Sequence, residues 1–423
     1  MSELRPRASR RMSGPTVSAP TVPVPPVPVP TVARHGRLRS SGPIGTVIKF
    51  LAAAVAVAVV SGAAVAGYAV WDITSHVKPG VALIGETVGP PPDIGAIEGG
   101  VNLLLVGSDS GGGDPRYGKR GESLNDVTIL LHIAADHSNA TVVSFPRDMF
   151  VPIPSCPRTN GSGSWRAQSS NKINVALTYG GLACVVKTVS NLTGVSIPFA
   201  AKIEFNGVIE MSNAIGGVTV CVASPIHDGQ INFNLNAGQQ TLQGWSALMF
   251  LRSRYGLDGG TDIARISNQQ VFMSALVRQV RARATLTDPI KVYGLAKAAV
   301  DNMEVSNSLR NPLTMASIAL ALKDIPPQDI QLIQYPSRFG NSNGVSGVLP
   351  IQDAANILFA AIKNDQPVKL SGTTGPGSNF NPNASAPPID SSAAPIQDAV
   401  TLPSTITGQN SAQETCSKGQ TYK

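Results

Sequence analysis

The stretch of residues 101–150 constrains the fold most, because three apolar segments follow one another there with short polar turns between them. The first segment, VNLLLVGSDS, is typical of a short buried strand that ends at Gly107. Residues 127–133 and 141–145 have the same character and predict two further strands. We therefore expect three neighbouring strands of one sheet.

Charged side chains lie at the ends of these predicted strands. Asp109 follows the first strand, Asp126 precedes the second, and Arg147 and Asp148 follow the third. Ligands of open α/β sheets bind at strand ends, carboxylates suit Mg²⁺, and a guanidinium suits phosphate. The pattern predicts a site for a metal-bound phosphate. Turn formation by the aspartates, and an Asp148 that only orients Arg147, remain alternatives. Lys172 fits either a phosphate contact or an ordinary helix-start lysine.

A second basic cluster lies further along the chain. Arg252 and Arg254 share one face if the chain is extended, and Arg265 and Gln269 share one face of a predicted helix. Converging arginines would hold a pyrophosphate through forked hydrogen bonds. Spacing alone favours the alternative of a solvated charged face in which Arg265 pairs with Asp262.

The amino-terminal part divides into an arm and an apolar span. Residues 1–46 are basic and proline-rich, and we expect them to be disordered in the cytoplasm. Residues 47–71 are almost wholly apolar and long enough to cross a bilayer as one helix. A cleaved signal peptide and a buried core helix are the alternatives. Seven arginines and a single acid precede the span, which predicts a single-pass cell-membrane protein with the rest of the chain outside the cytoplasm.

Three further segments follow the span. Residues 72–98 contain a run of prolines and predict an extracytoplasmic stalk. Residues 99–365 alternate predicted strands and helices, which indicates an α/β domain. Residues 366–423 lack periodic apolar positions, and we expect a disordered tail.

Charge and cysteine content limit the partners. A net charge of +7 and a pI near 9.3 favour anionic lipid or phosphorylated sugars, whereas 5% aromatic residues argue against nucleic acid. The four cysteines lack zinc-ligand spacing, and outside the cytoplasm they are free to form disulfides. Three pairings are open, and we favour Cys156–Cys184. The alternative is that Cys184 and Cys221 are simply small buried residues.

Six segments in order resemble the LytR-CpsA-Psr family of membrane-anchored cell-wall enzymes, especially its actinobacterial members, over residues 101–284. They are NLLLVGSDS, NDVTILLHI, VVSFPRDMFVPIP, NKINVALTYGG, GVIEMSNAIGGVTV and LQGWSALMFLRSRYG…DIARISNQQ.

The resemblance implies a fold and an activity. The implied fold is an α-β-α sandwich around a mixed central sheet, with one preceding transmembrane helix and a pocket for a polyprenyl chain. The implied enzyme is a phosphotransferase that uses Mg²⁺ or Mn²⁺. It joins a polyprenyl-pyrophosphate-linked glycopolymer, such as arabinogalactan, to a peptidoglycan hydroxyl by a phosphodiester bond. A polyprenyl-pyrophosphate phosphatase and a non-catalytic membrane-anchored regulator of the cell envelope are the alternatives.

The resemblance also assigns residues by motif position. Asp109 and Asp126 correspond to the metal-side carboxylates. The implied substrate site consists of Arg147, Asp148, Lys172, Arg252, Arg254, Arg265 and Gln269, with the arginines also in catalytic roles. Leu124 stands where the family usually has an arginine, and Arg120 is a candidate replacement from the preceding loop.

Overall fold

The computed structural model of the protein describes residues 42–85, 100–110, 117, 123–281, 288–381, 384 and 398–420. Residues 1–63 and 64–423 cluster as separate compact units. The predicted arm falls outside the described residues up to position 41. Helix α1 spans Pro43–Ser75, whereas the predicted apolar span was residues 47–71, so the last residues of the predicted arm are helical.

Helix α1 is apolar, and none of its residues is buried. Among the described residues, two helical stretches are long and apolar enough to cross a membrane: α1 and residues Ile173–Thr193. More than half of the apolar part of Ile173–Thr193 is buried inside the domain, so this stretch is a core helix.

The domain contains many short strands. They are β1 (Val101–Ser108), β2 (Asn125–Ile133), β3 (Ala140–Phe145), β4 (Phe150–Ile153), β5 (Cys156–Pro157), β6 (Ser164–Trp165), β7 (Gln168–Lys172), β8 (Phe199–Ile203), β9 (Val218–Ser224), β10 (Ile226–Asp228), β11 (Phe233–Leu235), β12 (Gly238–Leu242), β13 (Met303–Val305), β14 (Ile330–Gln334), β15 (Ser337–Ser342), β16 (Val345–Pro350), β17 (Val368–Lys369), β18 (Ser378–Phe380), β19 (Val400–Thr401), β20 (Gly408–Asn410) and β21 (Thr415–Lys418).

The helices of the domain lie between and beside these strands. They are α2 (Ala176–Thr193), α3 (Phe205–Ala214), α4 (Trp245–Arg252), α5 (Asp262–Arg281), α6 (Pro289–Asn302), α7 (Pro312–Asp324) and α8 (Gln352–Lys363).

The central sheet is mixed and has the order β13-β8-β1-β2-β3-β14-β20. Strand β2 is antiparallel to both β1 and β3. Strand β8 is parallel to β1, and β14 is parallel to β3. Residues of α2 and α8 pack on one face of the sheet, and residues of α5 and α7 pack on the other. The predicted α-β-α sandwich is therefore confirmed.

The expectation of a disordered tail from residue 366 is wrong for the part that the structure describes. Strand β20 completes the central sheet, and β21 lies in a second sheet of order β12-β9-β21-β18. These strands have no periodic apolar pattern because buried polar contacts hold them: Ser417 Oγ donates to Asn268 of α5 at 2.6 Å, and Gln409 Nε2 bonds Ser274 Oγ at 2.6 Å. Residues 385–397 of that expected tail lie outside the described residues.

Two disulfides connect the four cysteines. The favoured pair Cys156–Cys184 is confirmed, and Cys221–Cys416 joins β9 to β21. The stalk is also shorter than predicted, since Val81 N donates to Val305 O at 2.8 Å and Leu83 is buried in the core. Residues 86–99 of the predicted stalk lie outside the described residues.

Candidate functional site

The strand register brings the predicted charged residues to one edge of the sheet. Ser108, at the end of β1, pairs with Asn125 at the start of β2. Because β2 runs opposite to its two neighbours, its first residues lie at the same edge as the last residues of β1 and β3. Asp126 therefore meets Arg147, which follows β3, and the two side chains form a direct ion pair.

Asp262 connects the two halves of the site. Its Oδ2 accepts a hydrogen bond from Arg147 N at 3.0 Å, and its Oδ1 lies 2.5 Å from Arg265 Nη2. Arg265 Nη2 also donates to the carbonyl of Asp126 at 2.9 Å. The Arg265–Asp262 pair is thus real, but both side chains are buried, so it is not the solvated face that spacing alone favours. Sequence reasoning gave Asp262 no part in the site, although its position three residues before Arg265 was a usable signal.

Asp148 lies close to three cationic side chains. Lys172 Nζ donates to its Oδ1 at 3.0 Å, and Oδ2 lies 3.9 Å from both Arg147 Nε and Arg254 Nη1. The β4–β7 pairing of Phe150 with Lys172 creates this contact. Burial acts to raise the pKa of Asp148, but the Lys172 hydrogen bond and the nearby positive charges lower it below its usual value.

Arg147 keeps its positive charge although it is partly buried. Burial alone would lower its pKa, and the charges of Asp126, Asp148 and Asp262 overcome that effect, so the pKa is raised. The site therefore contains a cationic group that acidic neighbours hold in place.

Arg252 and Arg254 enter the site from the end of α4. Arg252 is the last helical residue, so the extended conformation considered for it does not hold, and its guanidinium lies 4.5 Å from the Phe205 ring centre. Asp228 fixes the following turn by accepting hydrogen bonds from Ser253 Oγ at 3.0 Å and Arg254 N at 2.8 Å. Asp228 was also missed by sequence reasoning, because it is distant in sequence and lies in a short strand.

Asp109 is buried and bonded to the loop before β2. Its Oδ1 accepts from Leu124 N at 2.9 Å, and its backbone N–H donates to Leu124 O at 3.1 Å. Leu124, at the position of the family arginine, thus contributes backbone contacts here. Arg120 lies outside the described residues.

Asp109 and Asp126 are the candidate carboxylate ligands of Mg²⁺. Among the described residues, no group of three or more His, Cys, Asp or Glu side chains is arranged to hold a metal ion. Mg²⁺ commonly binds one or two carboxylates and completes its shell with water and substrate phosphate oxygens. Asp109 and Asp126 fit a metal of that kind only if the substrate supplies further oxygens.

An apolar cavity of about 370 Å³ adjoins the charged cluster. Residues of the central sheet and of helices α3 to α6 line it, mostly with aliphatic side chains. Its polar lining includes Asp126, Arg252, Arg265 and Gln269, whose Nε2 donates to Leu251 O at 3.1 Å. The cavity therefore combines an aliphatic interior with a charged edge that contains two arginines, Arg252 and Arg265, and two acids, Asp126 and Glu204.

The sequence is similar to those of known cell-wall proteins. The chain is 32% identical over 232 residues to "Probable cell wall biosynthesis protein LcpB" of Corynebacterium glutamicum, covering 53% of this chain and 52% of that protein. It is 29% identical to the polyisoprenyl-teichoic acid–peptidoglycan teichoic acid transferase TagU of Enterococcus faecalis, covering 52% of this chain and 64% of that protein. The chain spans about half the length of the first of these curated relatives.

Solved structures show the same fold. The LytR-Csp2A-Psr enzyme from Actinomyces oris superposes with a TM-score of 0.50 at 19% identity, covering 68% of this chain and 96% of that one. A protein from Streptococcus agalactiae superposes with a TM-score of 0.51 at 23% identity, covering 63% and 87%. The family model described as the LytR_cpsA_psr family matches residues 87–363, which is more than half of the chain. The chain belongs to the LytR-CpsA-Psr family.

Proposed function

We propose that the protein is a phosphotransferase that moves a glycopolymer from a polyprenyl-pyrophosphate carrier to a peptidoglycan hydroxyl. One observation carries this proposal: the aliphatic cavity of about 370 Å³ shares Asp126, Arg252 and Arg265 with the charged cluster. A ligand that fits both parts has a long apolar chain and an anionic head, as a polyprenyl pyrophosphate has. The names of the Corynebacterium and Enterococcus relatives support a role in cell-wall glycopolymer transfer. Arabinogalactan is the glycopolymer that we propose.

The basic residues bind and orient the pyrophosphate in this proposal. Arg147, Arg252, Arg254, Arg265 and Lys172 would donate to its oxygens, while Asp148 and Asp262 hold four of these cations in position. Gln269 donates a hydrogen bond to the Leu251 carbonyl and so holds the end of α4. The acidic partners hold these cations in position before a substrate binds, and preorganised donors are worth more than mobile ones.

The reaction exchanges one phosphorus–oxygen bond for another. The acceptor hydroxyl attacks the phosphorus next to the glycan and forms the phosphodiester, and its proton passes to the departing polyprenyl phosphate or to solvent. The bond to the bridging oxygen breaks, and polyprenyl phosphate leaves with the electron pair. The cations offset the negative charge that develops on the leaving phosphate. Asp109 and Asp126 would hold Mg²⁺ or Mn²⁺, which when bound offsets further charge on phosphate oxygens.

We also propose that α1 anchors the protein in the cell membrane as a single pass. The helix is exposed and apolar along its length, and the arginines before it favour an amino terminus in the cytoplasm. The anchor would keep the site near the bilayer that contains the donor and so raise the local donor concentration.

The test compares Arg252→Ala with Arg310→Ala in the full-length protein reconstituted in bilayers. Arg310 is an exposed arginine outside the site. With a polyprenyl-pyrophosphate-linked glycan and a peptidoglycan fragment, Arg252→Ala should reduce transfer by roughly 100-fold or more, and Arg310→Ala should not. Both variants should melt like the wild type. Normal transfer by Arg252→Ala would overturn the assigned site.

The wild-type products distinguish the alternative functions in the same assay. Phosphate release without a joined product would favour the phosphatase. Absence of turnover with a bound donor would favour the regulator, for which Leu124 in place of the family arginine is the supporting observation.

A further inference from the structure

Helix α6 runs beside the end of α1. Asp72 Oδ2 accepts a hydrogen bond from Tyr293 Oη at 2.5 Å and lies 3.4 Å from Lys297 Nζ. Further along, Lys78 Nζ donates to Asp301 O at 2.5 Å. Residue 72 thus contacts residues 293 and 297, and the later residue 78 contacts the later residue 301. The chain therefore runs in the same direction along both segments.

The parallel direction fixes where the first turn of α6 lies. Because α6 runs parallel to residues 72–78, its amino-terminal end lies beside the residues that directly precede Asp72 in α1. Tyr68 and Trp71 form an exposed aromatic pair with ring centres 5.8 Å apart. Such aromatic residues favour the interface between membrane and water.

The first turn of α6 exposes apolar side chains at that level. Ile290 is 79% exposed and Val292 is 44% exposed. Ile290 precedes Tyr293 by three residues, or about 4.5 Å along the helix axis. Exposed aliphatic residues beside an interfacial aromatic pair are suited to lipid contact.

Helix α6 also lines the apolar cavity described above. Leu295 of α6 and Met303, the residue that follows α6, line the aliphatic interior. Helix α6 thus contacts the end of α1, exposes apolar residues at its first turn, and borders the proposed site for the lipid chain.

We propose that the first turn of α6, with Ile290 and Val292, inserts into the interfacial layer of the lipid bilayer. This contact is additional to α1 and holds the cavity against the membrane, so that the donor chain enters it without crossing water. The inference rests on the proposed membrane anchoring and names the bilayer as the partner of this surface.

The direct test places one fluorophore in the full-length protein. The four native cysteines are paired, so Ile290→Cys can be labelled with the environment-sensitive dye NBD while the protein stays oxidised. Val345→Cys is the matched control, because Val345 is an exposed aliphatic residue on the β15–β16 hairpin. Both proteins are reconstituted in nanodiscs, one chain per disc, with and without phospholipids that carry nitroxide near the headgroup.

Insertion predicts a blue-shifted emission at position 290 and at least about twofold stronger nitroxide quenching there than at position 345. Equal quenching at the two positions would overturn the proposal. A blue shift at position 290 without lipid quenching would also overturn it, because another part of the same chain would then cover the turn. This readout needs no enzymatic activity, so its failure is separate from failure of the proposed reaction.

A second measurement links the contact to substrate entry. The double variant Ile290→Asp/Val292→Asp places charges on exposed positions and should leave the melting temperature unchanged. It should reduce transfer from a bilayer-embedded long-chain donor by roughly tenfold and spare transfer from a short-chain soluble donor. Equal loss with both donors would contradict membrane contact as the cause.

Discussion

Asp262 and Arg265 form a buried ion pair on the first turn of α5, with Oδ1 2.5 Å from Nη2 and side chains only 3% and 7% exposed. The same carboxylate accepts a hydrogen bond from the backbone of Arg147. The aspartate therefore connects the helix that borders the cavity to the loop after the third strand.

Replacing Asp262 by alanine should destabilise the protein by about 3 kcal/mol, because it leaves a buried guanidinium without its counter-charge. Asp258→Ala is the control, since the Asp258–Lys418 pair is 2.8 Å long but well exposed. We expect the control to cost less than about 1 kcal/mol. Chemical denaturation of both variants measures the difference, and similar costs would contradict the connecting role of Asp262.

Filling the cavity should impair use of long-chain donors. Leu276 lines the cavity, and Leu276→Trp would displace about two methylene groups of a bound chain at about 0.8 kcal/mol each. The KM for a long-chain donor should rise roughly tenfold, with little change for a short-chain donor. Leu320→Trp, at an exposed position of α7, is the control. An unchanged KM for the long-chain donor would show that the chain binds elsewhere.

The two disulfides should differ in their effect on stability. Cys221–Cys416 closes a loop of sequence separation 195, whereas Cys156–Cys184 closes one of 28. Chain entropy predicts that removing the longer link, by Cys221→Ala with Cys416→Ala, costs about 1 to 2 kcal/mol more than removing the shorter one. Thermal unfolding of the two double variants tests this order, and the reverse order would refute it.

Tyr335 should make stability fall at high pH. It is buried against Phe145 and Phe359, and its Oη has no hydrogen-bond partner among the described residues. Burial raises the pKa of Tyr335 to about 12 from its ordinary value of 10.0. Above pH 10 the Tyr335 hydroxyl loses its proton in the unfolded chain but keeps it in the folded protein. The free energy of unfolding is therefore unaffected by this group below pH 10 and falls between about pH 10 and 12.

Tyr335→Phe should remove this dependence. The wild type should lose about 2 to 3 kcal/mol relative to the variant across that interval, and the two should be similarly stable at pH 7. Parallel stability curves from pH 8 to 12 would contradict the effect of burial on Tyr335.

The part of the site that was predictable comes from neighbouring strands. The three apolar segments and their polar ends predict that Asp126 and Arg147 share one sheet edge, and the structure brings them together. The contact between Asp148 and Lys172 was not predicted, because it depends on the pairing of β4 with β7, and neither short strand has an apolar pattern that the sequence analysis detected.

The rest of the site and of the fold depends on contacts between residues far apart in the sequence, which no local sequence pattern indicates. Asp262 bonds the backbone of a residue 115 positions away, which no spacing rule indicates. Strands β18 and β21 have few apolar residues, and they are held by a disulfide and by polar contacts with α5 such as Ser417–Asn268. A rule that looks for periodic apolar residues therefore predicts disorder where the chain is folded.

The central claim is that phosphorus moves with the glycan, and one labelled donor tests it most directly. The donor is a polyprenyl-pyrophosphate glycan with ³²P at the phosphorus next to the sugar, presented in bilayers to the full-length protein with Mg²⁺ and a peptidoglycan fragment. The account predicts that the label appears in the peptidoglycan product while unlabelled polyprenyl phosphate is released. Label that appears only as free phosphate or on the unjoined glycan would contradict it.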